Sequence, residues 1–163
     1  MDTFCHGEHS RTIDKNTCTQ FYATDISDSA LKIAKQNAKE NKTKIKFLKG
    51  NLLEPLDQPP TTNHQPLILT ANLPYLTTKE LQNPQLKYEP KLALDGGSYG
   101  LKYFREFFNQ IKQYNLKPKA IFLEIGHNQA AQIKKLAKNV LPAYKIKIKK
   151  DLCGFDRVII ITA

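Results

Sequence analysis

The stretch that decides the fold is Leu67-Ile68-Leu69-Thr70-Ala71-Asn72-Leu73-Pro74-Tyr75. Residues 67–71 form a short apolar run bounded by turn residues, which is typical of a parallel β-strand buried on both faces. The polar Asn72 and the turn-forming Pro74 follow directly, so they lie where this strand ends. In an open α/β sheet, ligands bind beyond the carboxyl ends of the strands. The stretch therefore predicts a buried strand with a candidate site at its end.

Strands and helices alternate along the rest of the chain. Apolar periodicity predicts helices at 28–41, 99–114 and 128–139, with a further short helix at 78–82. Short β-prone runs predict strands at 21–24, 45–48, 67–72, 118–126, 144–148 and 158–162. This order predicts an α/β architecture with a mainly parallel sheet that ends in an antiparallel hairpin.

The bulk properties favour one globular domain and exclude several classes of protein. The chain has 163 residues, 40% hydrophobic and 25% charged, and no apolar run approaches the roughly 20 residues that span a bilayer. The N-terminus has no basic region followed by an apolar one, so no secretion signal is expected. Cys5, Cys18 and Cys153 are too few and too scattered for a disulfide framework. We therefore expect a cytoplasmic protein that does not associate with membranes. We also expect a monomer.

The net charge of +10 does not by itself identify the class of partner that the protein binds. A basic surface favours nucleic-acid or ribosome-associated partners, but the lysines are spread along the chain, as on an ordinary solvated surface. The cluster Cys5, His6 and His9 lacks a second pair of ligands, so no metal site is expected.

The segment Asn72-Leu73-Pro74-Tyr75 has the features of a clamp for a planar nitrogen. A neutral amide or amine nitrogen is a poor nucleophile unless its lone pair is aimed at the methyl group it attacks. The Asn72 side-chain oxygen and the backbone carbonyl of Leu73 can accept one N–H each, orienting the nitrogen and stabilising its developing positive charge. Pro74 fixes the backbone and Tyr75 offers a flat face. The alternative is an ordinary strand exit with turn residues.

Two other strand ends carry candidate residues for a nucleoside cofactor. Asp25 follows the first predicted strand, and its carboxylate can accept hydrogen bonds from both ribose hydroxyls; the alternative is a cap of the following helix. After the second strand, Asn51 can meet the amino edge of an adenine and Leu52 can pack on its face. Here the alternative is an ordinary turn.

Taken together, these residues resemble the HemK/PrmC family, the N5-glutamine methyltransferases that modify peptide chain release factors. The resemblance runs from about residue 21 to the C-terminus. It rests on ordered blocks: Ala23-Thr24-Asp25-Ile26-Ser27, Gly50-Asn51-Leu52-Leu53, Ala71-Asn72-Leu73-Pro74-Tyr75, Tyr88-Glu89-Pro90-Lys91-Leu92-Ala93-Leu94-Asp95-Gly96-Gly97 with Gly100-Leu101, Leu123-Glu124-Ile125-Gly126, and Lys150-Asp151-Leu152-Cys153-Gly154-Phe155-Asp156-Arg157-Val158.

The resemblance implies a Rossmann-like class I methyltransferase fold with S-adenosylmethionine as the methyl donor. The implied acceptor is the glutamine of a Gly-Gly-Gln tripeptide in a release factor, and neither a metal nor a covalent enzyme intermediate is implied. Residues 72–75 become the clamp for the glutamine amide, with Asn72, Pro74 and Tyr75 as catalytic residues. The implied cofactor contacts are Asp25, Ile26, Asn51, Leu52 and Asn72. Glu124 is expected to be a structural hydrogen-bond acceptor and not a general base.

The sequence departs from the family pattern in two places. Leu73 stands where the family has a proline, and Asn-Leu-Pro-Tyr is also the form found in ribosomal RNA adenine N6-dimethyltransferases. That activity on nucleic acid is the leading alternative within the same fold.

The second departure lies upstream of Asp25, where residues 1–13 hold one glycine and no clear strand in place of the family's Gly-rich loop. We expect a divergent segment at 1–20, a missing or degenerate first strand, and a catalytic domain at 21–163 without the family's N-terminal helical domain. A truncated or frame-shifted reading frame, a fragment that needs a second chain, and a degenerate loop that binds weakly all fit this departure. A non-catalytic remnant of the fold is the third hypothesis of function.

Overall fold

The computed structural model describes residues 19–56 and 66–163. The chain divides into two compact units, Met1–Lys49 and Gly50–Ala163. The predicted N-terminal segment falls largely outside the described residues, so a missing first strand and a domain boundary at residue 20 stay predictions. No helix in the described residues is long and apolar enough to cross a bilayer.

The first unit is a strand–helix–strand motif. β1 (Phe21–Asp25) pairs in parallel with β2 (Ile45–Lys49), and α1 (Asp28–Glu40) connects them. Ser27 caps α1 because its side-chain oxygen accepts from the backbone N–H of Ala30 at 3.3 Å. Within the unit α1 buries Leu31 and Ala38. The predicted elements at 21–24, 28–41 and 45–48 are therefore confirmed to within a residue.

The second unit is built on a four-stranded sheet in the order β3-β4-β6-β5. Its strands are β3 (Ile68–Asn72), β4 (Ala120–Glu124), β5 (Lys145–Lys150) and β6 (Asp156–Thr162). β3 and β4 are parallel, whereas β6 is antiparallel to both β4 and β5. The sheet is therefore mixed, and its β5–β6 pair is the hairpin that the sequence predicts.

The helices of this unit are α2 (Lys91–Leu94), α3 (Lys102–Gln113) and α4 (Ala130–Val140). α3 and α4 pack on the sheet around one apolar core, whereas α2 contains no buried residue. The core joins the buried face of α3 and that of α4 to alternate residues of the strands, chiefly Phe104, Phe107, Phe108, Ile111, Ile121, Leu123, Ile133, Ile159 and Ile161. Each such side chain contributes about 1.5–3 kcal/mol by leaving water. This core fixes the ends of β3 and β4, where the candidate site lies.

Two local expectations differ from the structure. The helix predicted at 99–114 begins only at Lys102, because residues 96–101 form a turn with positive φ at Gly97 and Gly100. The short helix predicted at 78–82 is present as a single 3₁₀ turn at Glu80–Gln82, and a second 3₁₀ turn at Pro84–Leu86 and then α2 follow it.

The burial expected of the strand at 67–72 is only partly found. Leu69 is buried, but Ile68 is 56% exposed and Thr70 is also exposed. Among the described residues of its unit, β3 pairs with β4 alone and so forms the edge of the sheet. The apolar run identified the strand correctly, but the burial of a strand depends on its neighbours, which its own sequence does not specify.

Candidate functional site

The predicted clamp lies at the carboxyl end of β3, beside the carboxyl end of β4. Asn72 and Glu124 are register partners at the last positions of these two strands. Asn72 is exposed, and its side-chain amide makes no hydrogen bond to residues 19–56 or 66–163. Leu73 is buried in the core, while Pro74 and Tyr75 are half-buried. The segment therefore presents a polar amide from a backbone that the core anchors.

Tyr75 joins the clamp to the neighbouring strands. Its hydroxyl donates to the Glu124 carboxylate at 3.2 Å, and Nη1 of Arg157 lies 3.5 Å from the same hydroxyl oxygen. Arg157 also donates to the backbone oxygen of Ile125 at 3.4 Å and to the Asp151 carboxylate at 3.1 Å. The aromatic ring that the sequence assigned to substrate contact is thus fixed in position by a carboxylate and a guanidinium. Glu124 is occupied as a hydrogen-bond acceptor, as expected.

The environment of Tyr75 favours its neutral form. Burial raises the pKa of the Tyr75 phenol, the nearby Glu124 carboxylate adds to the rise, and Arg157 partly opposes it. The opposite holds for Asp151, since hydrogen bonds, first from the backbone of Phe155 and then from Arg157, lower its carboxyl pKa. The pair Asp151–Arg157 is therefore charged at neutral pH while the phenol between Arg157 and Glu124 keeps its proton.

The Tyr75 phenol is expected to ionise above its ordinary value of about 10. Because the pKa of this phenol is higher in the folded state, the protonated phenol stabilises the folded protein below about pH 10. This contribution to the free energy of unfolding is lost as the pH rises through the folded-state pKa. Titration of phenolate absorbance in the native protein and in Tyr75→Phe, subtracted one from the other, isolates this group. A difference curve with a midpoint at or below about 10 would show that the phenol is not held as described.

The glycine block at 96–100 packs directly on the backbone of the clamp. A β-carbon added at Gly96 would lie 2.8 Å from the carbonyl oxygen of Pro74, and one at Gly100 would lie 2.2 Å from that of Tyr75. Gly100 also has a φ of +66°, which side chains of L-residues rarely adopt. The backbone N–H of Gly96 donates to the carbonyl of Leu76 at 2.8 Å. These contacts explain in physical terms why glycines stand in this block.

Gln129 is a buried residue of this site that the sequence reasoning missed. Its side-chain nitrogen donates to the carbonyl of Tyr75 at 2.9 Å and to that of Gly100 at 3.0 Å. Its side-chain oxygen accepts from the N–H of Gly126 at 3.0 Å. One amide thus ties the clamp, the glycine block and the β4–α4 turn together. The only local signal is a polar residue just before α4, which alone predicts a cap.

The other predicted cofactor residues are held by neighbours within their own units. In the first unit, Asp25 is exposed and accepts from the N–H of Ser27 at 2.7 Å, while Ser27 is the cap of α1; Ile26 is exposed.

In the second unit, the Asn51 side chain donates to the Glu106 carboxylate, and the carbonyl of Asn51 accepts from Gln110 at 3.4 Å. Leu52 is half-buried at a φ of 54°. Their cofactor roles stay predictions. In the described residues no group of three or more His, Cys, Asp or Glu side chains is arranged to hold a metal.

Comparison with solved structures identifies the fold class of this chain. A methyltransferase from Pyrococcus furiosus superposes with a TM-score of 0.55 over 88% of this chain and 62% of its own, at 13% sequence identity. The chain therefore has the Rossmann-like class I methyltransferase fold, and that predicted fold class is confirmed. No protein-family model matches the chain.

Sequence comparison with curated proteins gives relatives within this class of methyltransferases. The chain is 35% identical over 147 residues to a release factor glutamine methyltransferase of Thermodesulfovibrio yellowstonii, covering 87% of this chain and 50% of the relative. It is 34% identical over 141 residues to that of Enterococcus faecalis, covering 85% and 49%. The chain spans about half the length of these relatives. The resemblance to the release factor glutamine methyltransferases that the sequence motifs indicate is confirmed over that half.

Proposed function

We propose that the chain is the catalytic part of an S-adenosylmethionine-dependent methyltransferase acting on glutamine. The proposed acceptor is the side-chain nitrogen (N5) of the glutamine in the Gly-Gly-Gln motif of peptide chain release factors. The observation that carries the proposal is the match to release factor glutamine methyltransferases over 147 residues. The position of Asn72 through Tyr75 at the ends of two parallel strands supports it.

In the proposed reaction the clamp prepares the amide nitrogen for attack. The side-chain oxygen of Asn72 accepts one N–H of the glutamine amide, and the backbone carbonyl of Leu73 accepts the other. These two acceptors turn the nitrogen lone pair toward the methyl group and stabilise the positive charge that forms on nitrogen. S-adenosylmethionine, when bound, supplies an electrophilic methyl group. Tyr75 lies against the planar amide and limits its rotation.

The proposed reaction requires no strong base before methyl transfer. An amide nitrogen becomes acidic only once it carries the new methyl group, so the proton leaves afterwards. Glu124 is already hydrogen-bonded to the Tyr75 hydroxyl, and its proposed role is therefore to orient that ring. For the cofactor, Asp25 and Ile26 in the first unit and Asn51, Leu52 and Asn72 in the second are the proposed contacts. A cytoplasmic location and a monomeric state stay predictions.

The proposal is tested by incubating the chain with labelled S-adenosylmethionine and a release factor. Label is expected on the Gly-Gly-Gln glutamine, located by peptide mapping, and a full-length relative serves as the positive control. Label on ribosomal RNA in place of protein would establish the adenine alternative. Calorimetric titration with S-adenosylhomocysteine tests whether the chain is a non-catalytic remnant of the fold. A remnant that does not bind the cofactor would give no heat of binding and no methyl transfer.

A further inference from the structure

The loop that joins β5 to β6, residues 151–155, presents two apolar side chains to solvent. Leu152 is fully exposed and Phe155 is 54% exposed. Single exposed apolar residues are common on protein surfaces, but a paired set on one short loop suits a contact with a partner.

Hydrogen bonds hold this hairpin loop in one shape. The Asp151 carboxylate accepts from the backbone N–H groups of Cys153 and Phe155, both at 3.0 Å, and from Arg157 at 3.1 Å. The backbone N–H of Asp151 donates to the carbonyl of Phe155 at 2.8 Å. Because the backbone of the loop is already fixed, binding costs little further backbone entropy, which favours affinity.

The hairpin loop is connected to the clamp through Arg157. The same guanidinium that donates to Asp151 also approaches the Tyr75 hydroxyl at 3.5 Å. On the other side, the ring of Phe155 packs edge-on against His127 in the β4–α4 turn, with 5.7 Å between ring centroids. A macromolecule that places a side chain in the clamp is therefore brought close to this loop.

The hairpin loop itself exposes apolar groups and the basic side chains that flank it are paired, which favours a protein partner over a nucleic acid, although Lys147 and Lys149 farther along β5 are exposed. The Lys150 ammonium is engaged within the loop, by Asp156 at 3.3 Å and by the carbonyl of Gly154 at 2.9 Å. Arg157 is likewise paired with Asp151. Phosphate binding relies on lysine and arginine side chains that can neutralise phosphates, whereas an exposed leucine and phenylalanine are suited to an apolar protein surface.

We propose that the hairpin loop, through Leu152 and Phe155, is a docking surface for the protein that carries the acceptor side chain. It contacts an apolar patch beside the acceptor glutamine and so adds affinity for the folded substrate over a short peptide. This inference rests on the proposed function for the identity of the partner, but its binding test does not require methyl transfer.

The test compares the native chain with Leu152→Ser/Phe155→Ser. Ser substitution removes the apolar groups and leaves the backbone hydrogen bonds of the loop in place. Binding of a release factor is measured by biolayer interferometry, and methyl transfer is measured on the whole release factor and on a short Gly-Gly-Gln peptide. The matched control is Ile33→Ser/Phe21→Ser, which removes the same kinds of side chain from exposed positions of the first unit.

The double variant is expected to bind the release factor at least tenfold more weakly, with transfer to the short peptide unchanged. Equal affinity of the variant and the native chain would overturn the inference. An equal loss of transfer to protein and peptide would also overturn it, because the loop would then act on the clamp itself. If the native chain transfers no methyl group, the proposed function fails, but weaker binding by the variant still supports docking. No binding by the native chain overturns the docking proposal.

Discussion

Replacing Asn72 with alanine is expected to lower methyl transfer about 100-fold or more while leaving the fold intact. Loss of one preorganised polar group at a reacting centre typically costs about 10²–10³ in rate. The stability change is expected to stay within about 0.5 kcal/mol, because Asn72 is exposed at a strand end. Its side chain makes no hydrogen bond to the described residues that the substitution would break. The effect should therefore fall on the rate of transfer.

The measurement is single-turnover transfer of labelled methyl to a release factor, with thermal melts to establish folding. Asn109→Ala is the matched control, because it makes the same chemical change at an exposed position of α3. We expect the control to transfer at the native rate. A rate for Asn72→Ala equal to that of the control would refute the assignment of the clamp and leave Asn72 as an ordinary turn residue.

The elements of the fold could be predicted because their signals are local. The apolar stripe of α3, with Phe104, Phe107, Phe108 and Ile111, repeats at helical spacing, and these four side chains are all buried. The clamp is a prediction of the same local kind, since four consecutive residues carry its proposed chemistry and one apolar strand precedes them. The structure confirms the strand, because its signal is contained in one short segment, while the chemical role of the four residues stays a prediction.

The support of the clamp could not be predicted because its partners are distant in sequence. Gln129 reaches carbonyls at Tyr75 and Gly100, and Arg157 reaches the hydroxyl of Tyr75. Only the register of β3, β4 and β6 brings these residues together. The family pattern marked the glycine at position 100, but the reason for it, close packing on the Tyr75 carbonyl, required the structure.

The two edge strands of the four-stranded sheet show what strand composition can and cannot predict about neighbouring strands. At one edge, β5 carries Lys145, Lys147, Lys149 and Lys150, and charged edges of this kind discourage pairing with further strands. At the other, β3 has no charged residue. Its composition is typical of a strand paired on both sides. Composition predicts what environment a strand tolerates, and the neighbours that supply that environment lie elsewhere in sequence.

Replacing Gln129 with leucine is expected to destabilise the protein by about 3 kcal/mol. Leucine has a similar size but leaves the carbonyls of Tyr75 and Gly100 and the N–H of Gly126 without their side-chain partner. Each buried polar group left unpaired costs about 1–3 kcal/mol, less where the backbone relaxes or water enters. Urea unfolding at constant pH measures the change, and Gln132→Leu, an exposed position on the same helix, is the matched control.

Gln129→Glu separates loss of hydrogen bonds from loss of packing. The carboxylate keeps the acceptor for Gly126 but directs negative charge at the carbonyls of Tyr75 and Gly100. Burial and this repulsion raise its pKa in the folded state, so the stability of Gln129→Glu relative to the native chain is greatest at low pH, where the neutral acid donates one hydrogen bond. This relative stability then falls as the pH rises through the folded value. Equal stability of the Leu and Glu variants at all pH values would indicate that Gln129 acts by filling space, and the clamp would then owe its position to the glycine block and Arg157.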